Sequence, residues 1–229
     1  MQIRIGHSPD PDDAFMFWAL AADRIETRGF EFEHVLRDIQ TLNDWALEGR
    51  LETTAISLHA YPFVQRHYAV LPHGASMGSG YGPVVVVREP LEPEQLQSLE
   101  IAIPGRMTTA FLVLRLFLGE WWLLETGLPL PLGINVARRD LGPEPLHDLS
   151  QVLKESIEAG LANRPEAMEY ALGFGRGLDT ALADRFVGMY VNDFTCDYGE
   201  EGRQAVTELL RRGEVLGAFP ERVQLDFVS

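Results

Sequence analysis

The sequence predicts an α/β protein whose two lobes enclose a cleft. One observation is a strand pattern at 99–103, a turn at 104–106 and an apolar helix at 108–117, which is the unit from which α/β sheets are built. A second is a pair of apolar strand-like runs, 84–88 and 134–138, each followed by a loop and a helical pattern. The 229 residues suffice for one large domain or two small ones, and 46% of them are hydrophobic. Together these observations favour two lobes joined by two crossings.

The chain opens with a strand, a polar turn and a helix. Residues 2–6 alternate in polarity and carry β-branched side chains, as in a short strand. Ala14–Ala22 is apolar and predicts a helix. Pro11 suits the start of that helix, and either Asp12 or Asp13 can cap it.

The next segment predicts further alternating strands and helices. Phe30–Leu36 alternates as a strand, Thr41–Glu48 forms an amphipathic helix, and Thr53–Leu58 forms a third strand. The glycine-rich stretch Gly74–Gly82 matches neither a dinucleotide fingerprint nor a Walker loop, so no nucleotide site is inferred. The continuous apolar run Val84–Arg88 is typical of a strand buried on both faces.

Composition shifts indicate where the lobes divide. Glu89–Pro93 is a polar, proline-rich connector and a candidate boundary. We expect residues 1–88 and 134–229 to form a larger lobe and residues 89–133 a smaller one. Within the larger lobe, residues 144–212 are mainly helical by their i, i+3, i+4 apolar spacing.

Charge and cysteine content exclude several classes of protein. The net charge of −15 disfavours binding to nucleic acid and anionic lipid surfaces, and solubility explains the excess charge better than an acidic docking face does. Cys196 is the one cysteine, so there is no intramolecular disulfide and no multi-cysteine zinc site. Lys154 is the one lysine, which disfavours Schiff-base chemistry. With no signal-peptide pattern or long apolar run, we expect a cytoplasmic protein.

Two element ends could bind a ligand. Thr108, Thr109 and Ala110 follow a glycine turn and start a helix, where free N–H groups and threonine hydroxyls suit a carboxylate. An ordinary helix cap explains these residues equally well. Ser57 and His59 lie at a strand end, but no G-x-S-x-G elbow surrounds Ser57, which disfavours a serine hydrolase. Spacing alone therefore predicts a two-lobe binder of a small anion.

The opening turn is a third candidate, because it gathers His7, Asp10, Asp12 and Asp13. A metal site is one interpretation, but the spacing matches no standard ligand set. Proline-fixed turn geometry with aspartates capping the next helix is another. A third is that the turn borders a ligand cleft, since it follows the carboxyl end of a strand.

Eight stretches of the chain also carry a resemblance to a known family. They are Gly6–Phe17, Asp38–Asn43, Ala55–Ser57, Gly80–Pro83, Pro104–Ala110, Thr126–Gly133, Tyr190–Asn192 and Gly199–Gly202. They resemble the 1,4-dihydroxy-6-naphthoate synthases of the futalosine route to menaquinone. Chorismate dehydratase of the same pathway is the alternative, but it shares the fold and not the opening turn or the Leu-Pro-Leu-Pro-Leu-Gly crossing.

The resemblance implies a type II periplasmic-binding-protein-like fold used as a cytoplasmic enzyme. It implies base-initiated ring opening of cyclic dehypoxanthine futalosine in the cleft between the lobes, with no metal or nucleotide cofactor. The partner is then a small-molecule carboxylate, not nucleic acid or membrane. By position, the resemblance implies these substrate-binding residues: Ala55, Ile56, Ser57, Thr108, Thr109 and Ala110, with Asn43 close by.

One departure from the family weakens the catalytic assignment. The family carries a few dozen residues, with its proton-acceptor histidine, at a place that here runs directly from Gly119 to Glu120. None of the six histidines inherits that role by motif, so we assign no catalytic residue. Either the chain lacks this segment, or the protein has it and it is missing from the sequence between Gly119 and Glu120. A protein that binds a small carboxylate without turnover is the alternative function, and whether His7 or His59 contacts substrate stays open.

Overall fold

Six strands form a single mixed sheet at the centre of the molecule. The computed structural model describes residues 1–117, 122–175 and 177–228. In these residues the strand order is β2-β1-β3-β6-β4, and β5 also pairs with β6. The strands are β1 Gln2–His7, β2 Glu31–Leu36, β3 Thr53–Ser57, β4 Tyr68–Val70, β5 Ser76–Gly78 and β6 Leu130–Arg138.

The directions of the strands bring two predicted turns to one edge of the sheet. β1 runs parallel to both β2 and β3, so the carboxyl ends of β1 and β3 lie at the same edge. β6 runs antiparallel to β3 and places Gly133 opposite Ser57. The loops after His7 and Ser57 therefore emerge side by side, as expected for ligand sites of α/β proteins.

Helices cover both faces of this sheet. On successive positions of β6, Val136 belongs to one apolar core and Ala137 to the other, and successive strand residues point to opposite faces. The helices are α1 Pro11–Met16, α2 Trp18–Ala21, α3 Ile39–Leu47, α4 Tyr61–Val64, α5 Thr109–Phe117, α6 Trp122–Thr126, α7 Pro143–Ala162, α8 Arg164–Leu172, α9 Thr180–Tyr190, α10 Asp193–Cys196 and α11 Gly199–Val215.

The first predicted helix differs from expectation in its start and its continuity. The N-cap is Asp10, not Asp12 or Asp13, because Pro11 occupies the first helical position and the cap must precede it. The apolar stretch is also divided at Phe17 into α1 and α2. Phe17 is almost fully buried, so core packing tolerates the break.

Two predicted strands are absent from the sheet of the described residues. Val84–Arg88 and Leu99–Ile103 have no strand conformation, and neither pairs with another strand. Val84 and Val86 are 82% and 86% exposed, the opposite of a strand buried on both faces. An apolar run becomes a central strand only where neighbouring strands supply hydrogen bonds and helices cover it, and the segment between β5 and β6 contributes no such partners among the described residues.

Strand β6 begins at Leu130, whereas the expected division of the chain starts the second part of the larger lobe at residue 134. Leu130–Gly133, which the expected division gives to residues 89–133, continue the same strand as Ile134–Arg138. Gly133 pairs with Ser57 of β3 and with Ser76 of β5. The expected break between Gly119 and Glu120 lies outside the described residues.

Candidate functional site

Ser57, at the carboxyl end of β3, is held by Asn43 of α3. The Ser57 backbone N–H donates to Asn43 Oδ1 at 2.9 Å, and Asn43 Nδ2 donates to Ser57 Oγ at 3.0 Å. Asn43 is completely buried, so both ends of its amide are used internally. Because Ser57 Oγ accepts from Asn43, its own hydroxyl hydrogen remains a donor, and no described residue accepts it.

The remaining positions of the predicted strand motif divide between the two faces of the sheet. Ile56 is fully buried in an apolar core, so its side chain points away from Ser57. Ala55 is partly exposed and shares the face of Ser57. Of the three residues, only Ala55 and Ser57 can present side chains to a ligand on this face.

The second predicted element, the start of α5, is built from Thr108 and Thr109. Thr108 Oγ1 donates to the Gly105 carbonyl at 2.8 Å and accepts from the Phe111 N–H at 3.3 Å, which is the geometry of a helix cap. Thr109 Oγ1 donates to the Leu132 carbonyl at 2.5 Å. Both hydroxyls thus serve the fold, and both threonines are nearly buried.

The first backbone N–H groups of α5 are the free donors at this element. The N–H groups of Thr109 and Ala110 have no hydrogen-bond acceptor among the described residues, as is usual for the first turn of a helix. They add to the positive end of the helix dipole. A helix start with free N–H groups favours an anion such as a carboxylate.

Two residues outside the implied substrate-binding set join these elements, namely Gln40, which had no predicted role, and His59, whose contact with substrate was left open. Gly105 approaches Gln40 so closely that a Cβ added to Gly105 would clash with Gln40 Oε1, and that oxygen is buried with no hydrogen-bond partner in the part of the chain that the structure describes. His59 Nδ1 lies 3.1 Å from the Thr108 carbonyl oxygen. Gln40 precedes Asn43 by three residues on α3, a helical spacing that could have indicated the shared face.

The opening turn lies at the same sheet edge and is internally bonded. His7 Nδ1 lies 3.1 Å from the Ser8 carbonyl oxygen and His7 Nε2 lies 3.0 Å from His34 Nδ1. Ser8 donates through its N–H to Asp13 and through its hydroxyl to Asp10. Both ring nitrogens of His7 are therefore hydrogen-bonded within the protein.

Burial dominates the electrostatics of this turn. It lowers the pKa of His7 and of His34 to about 4, so both rings are neutral at pH 7. Burial together with neighbouring carboxylates raises the pKa of Asp12, and burial raises the pKa of Asp13. Within residues 1–117, 122–175 and 177–228, no group of three or more His, Cys, Asp or Glu side chains is placed to hold a metal ion.

Two further stretches of the resemblance motifs converge on a surface cavity of about 340 Å³. Tyr81 Oη donates to the Met189 carbonyl, and Asn192 Nδ2 donates to the Met77 and Met189 carbonyls at 3.2 Å. The cavity is separate from Ser57 and α5, which do not line it. It is lined by Ser79, Tyr81, Gly188, Met189, Asn192, Asp193 and Phe194.

The predicted residues lie on three elements, β3, α3 and the start of α5, which hydrogen bonds of Asn43 and His59 connect, and we call this group of residues the polar site. Its donors are the Ser57 hydroxyl and the N–H groups of Thr109 and Ala110, while Asn43 and the threonine hydroxyls orient them. Donors of this kind favour an anionic group, and no histidine among the described residues of this site is exposed. Among the described helices, none combines the length and the apolar composition that a membrane span requires.

Comparison with known proteins gives a family for this chain. The family model described as menaquinone biosynthesis matches residues 3–118 and 118–215, two parts that meet at residue 118. A curated relative from Thermus thermophilus, named 1,4-dihydroxy-6-naphtoate synthase, is 36% identical and covers 94% of this chain and 95% of its own. That alignment has 261 positions, whereas 94% of 229 residues is about 215, so the relative has residues with no counterpart here.

Solved structures give the fold independently of the sequence motifs. A protein of Archaeoglobus fulgidus is 37% identical, has a TM-score of 0.87 and covers 95% of this chain and 98% of its own. A Candida albicans gene product said to exhibit the generic periplasmic binding protein fold is only 10% identical. It reaches a TM-score of 0.62 over 97% of this chain and 92% of its own. The expected binding-protein-like α/β fold is therefore confirmed.

Proposed function

The chain belongs to the menaquinone biosynthesis family, and from that premise we propose that it acts as a 1,4-dihydroxy-6-naphthoate synthase. The substrate in this proposal is cyclic dehypoxanthine futalosine, opened by removal of a proton in the cleft. The cytoplasm is the proposed compartment, which suits a chain with a single cysteine.

The observation that carries the proposal is the donor set at the polar site. The naphthoate product has a carboxylate, and the free N–H groups at the start of α5 with the Ser57 hydroxyl are suited to bind one. A carboxylate there would accept from Thr109, Ala110 and Ser57 at once. Asn43 fixes the donor direction of Ser57 in advance, which reduces the ordering cost of binding.

Proton removal is the step for which the described residues offer least. His7 is bonded at both ring nitrogens, and His59 is buried. We propose that the residues of the Thermus thermophilus relative without counterpart here are the segment expected between Gly119 and Glu120, which carries the family's base. Loss of a general base typically slows a reaction by about 10²–10⁴-fold.

The test is turnover of cyclic dehypoxanthine futalosine by protein whose intact mass has been measured. Product is followed by chromatography of 1,4-dihydroxy-6-naphthoate, beside the Thermus thermophilus relative and the variant Ser57→Ala. For protein of 25.6 kDa we expect measurable product at a rate about 10²–10⁴-fold below the relative, lowered further by Ser57→Ala. A mass several kDa higher would restore the segment and predicts turnover comparable to the relative.

Binding of a small carboxylate without turnover is the second candidate, favoured by the absence of an exposed histidine in the described site. It predicts that 1,4-dihydroxy-6-naphthoate binds to the 25.6 kDa protein and that Ser57→Ala weakens binding, while no product forms from the cyclic substrate. Failure of both binding and turnover at the confirmed mass would refute both candidates.

A further inference from the structure

His59 connects the end of β3 to the start of α5, although α5 begins far from His59 in the sequence. It follows β3 in a short 3₁₀ turn, Leu58–Ala60, two residues after Ser57. Its backbone N–H donates to Thr109 Oγ1 at 3.3 Å, and its Nδ1 lies 3.1 Å from the Thr108 carbonyl oxygen. One residue therefore contacts both threonines at the start of α5.

The acceptor decides which ring nitrogen of His59 carries the proton. A carbonyl oxygen only accepts, so Nδ1 must be the protonated nitrogen and must donate to Thr108. The same carbonyl accepts from the N–H groups of Phe111 and Leu112, which are the first hydrogen bonds of the helix. His59 thus donates into the carbonyl from which α5 begins.

In the described part of the chain, the bond from Nδ1 to Thr108 is the hydrogen bond that the ring makes. His59 is only 2% exposed, and its Nε2 is buried without a hydrogen-bond partner among the described residues. Aromatic rings lie around it, with centroid distances of 5.9 Å to Phe63, 6.2 Å to Phe111 and 5.8 Å to Phe219. A fully apolar residue would suit this cage better, so the Nδ1 hydrogen bond is the contribution that a histidine adds.

Thr109 completes the connection to the sheet. Its hydroxyl accepts from the His59 N–H and donates to the carbonyl of Leu132 in β6, the strand paired with β3. The first turn of α5 is consequently hydrogen-bonded to β6 and to the turn that follows β3. These bonds set where the free N–H groups of α5 stand relative to the Ser57 hydroxyl.

We propose that His59 is a positioning residue that, through the Thr108 carbonyl, holds the start of α5 at the correct distance from Ser57 for one anionic group to bind both. The inference rests on the proposed function for the identity of the ligand, but not for the existence of the connection. It places His59 behind the site and not in contact with substrate.

The experiment compares three variants with the wild-type protein. His59→Leu removes the donor and keeps an apolar side chain in the aromatic cage, whereas His59→Asn returns an N–H donor near the position of Nδ1. His73→Leu is the matched control, because His73 is also buried and bonded, to Ser150 at 3.0 Å, outside the polar site. Affinity for 1,4-dihydroxy-6-naphthoate is measured by titration, and exchange of the Phe111 and Leu112 amides is measured by NMR.

We expect His59→Leu to bind the naphthoate about tenfold more weakly, as loss of one hydrogen bond predicts. His59→Asn is expected within about threefold of wild type, and His73→Leu to bind normally even if it melts earlier. Equal weakening in His59→Leu and His59→Asn, or equal weakening in His73→Leu, would overturn the proposal.

The exchange measurement separates this inference from the proposed function. If wild-type protein does not bind the naphthoate, the proposed function fails, and exchange alone decides the role of His59. Faster exchange of the Phe111 and Leu112 amides in His59→Leu, reversed in His59→Asn, supports the positioning role. Unchanged exchange in all variants overturns it.

Discussion

Replacing Asn43 with alanine removes both hydrogen bonds that orient Ser57. Each bond contributes about 0.5–1.5 kcal/mol net, and a buried donor left without a partner costs about 1–3 kcal/mol. The Ser57 N–H is left in that state, because Asn43 is completely buried and water has little access. We therefore expect the free energy of unfolding to fall by about 2–4 kcal/mol.

Urea denaturation followed by circular dichroism measures this loss, and thermal melting checks it. For a chain of this length, the melting temperature should fall by about 2–4 °C per kcal/mol. Asp44→Ala is the matched control, since Asp44 is exposed on the same helix and should change stability by no more than about 0.5 kcal/mol. A loss for Asn43→Ala no larger than that of the control would refute the assignment of Asn43 as the residue that holds Ser57.

Asn43→Asp extends the same test through pH. Burial raises the pKa of the new carboxyl above its unfolded value near 3.9. The variant is therefore penalised at pH 7, where the unfolded chain is ionised, and the penalty relative to wild type shrinks as pH falls through the raised folded pKa. A stability difference that is independent of pH between about 7 and 4 would contradict this reasoning.

Three other features give shorter predictions. Because Val84 and Val86 are exposed, the double change Val84→Ser, Val86→Ser should alter the free energy of unfolding by about 0.5 kcal/mol or less. It should also reduce aggregation on storage, measured by light scattering. A loss of about 2 kcal/mol or more would instead support the buried-strand interpretation. Arg211 and its neighbour lower the pKa of Glu208 to about 2, so its stabilisation is present above the unfolded pKa near 4.5 and is lost as pH falls toward 2. Because these ion pairs face solvent, Glu208→Gln should be less stable than wild type by about 0.5–1 kcal/mol at pH 7 and nearly equal near pH 2, as pH-dependent denaturation would show. Burial lowers the pKa of His34 from 6.5 to about 4, so the unfolded chain takes up the proton first and stability decreases as the pH is lowered from 6.5 to 4. His34→Phe should lose less stability over the same pH range. An unchanged slope of unfolding free energy against pH would contradict this prediction.

Much of the fold follows from local patterns that the tertiary structure keeps. The alternating residues of Gln2–His7 and the capped, amphipathic Ile39–Leu47 lie within one or two residues of their predicted bounds. Both patterns match their period, and both elements have a partner to bury their apolar face. Val84–Arg88 has an equally strong apolar signal but no strand partner among the described residues, so the same signal led to a wrong prediction.

The residues of the site likewise divide into those that the sequence could predict and those that only the structure shows. Ser57 and Thr109 could be found in sequence because each stands at an element end, where polar groups are left unpaired. The role of His59 could not be found, because its partner Thr108 is 49 residues away and no local spacing records that contact. The binding role of the threonine hydroxyls was uncertain for a related reason, since only the structure shows that they are bonded to Gly105 and Leu132.

The amino-acid sequence by itself determined the α/β class, the strand ends that carry the polar groups and the family, because these depend on residue types and short spacings. Only the tertiary structure decided which polar groups remain free to meet a ligand. A hydroxyl, an imidazole or a backbone N–H has the same chemistry wherever it lies in the chain, and its availability depends on partners brought to it by folding. Among the described residues, no acceptor meets the Ser57 hydroxyl or the first N–H groups of α5, whereas Asn43, Thr108, Thr109 and His59 are hydrogen-bonded within the protein.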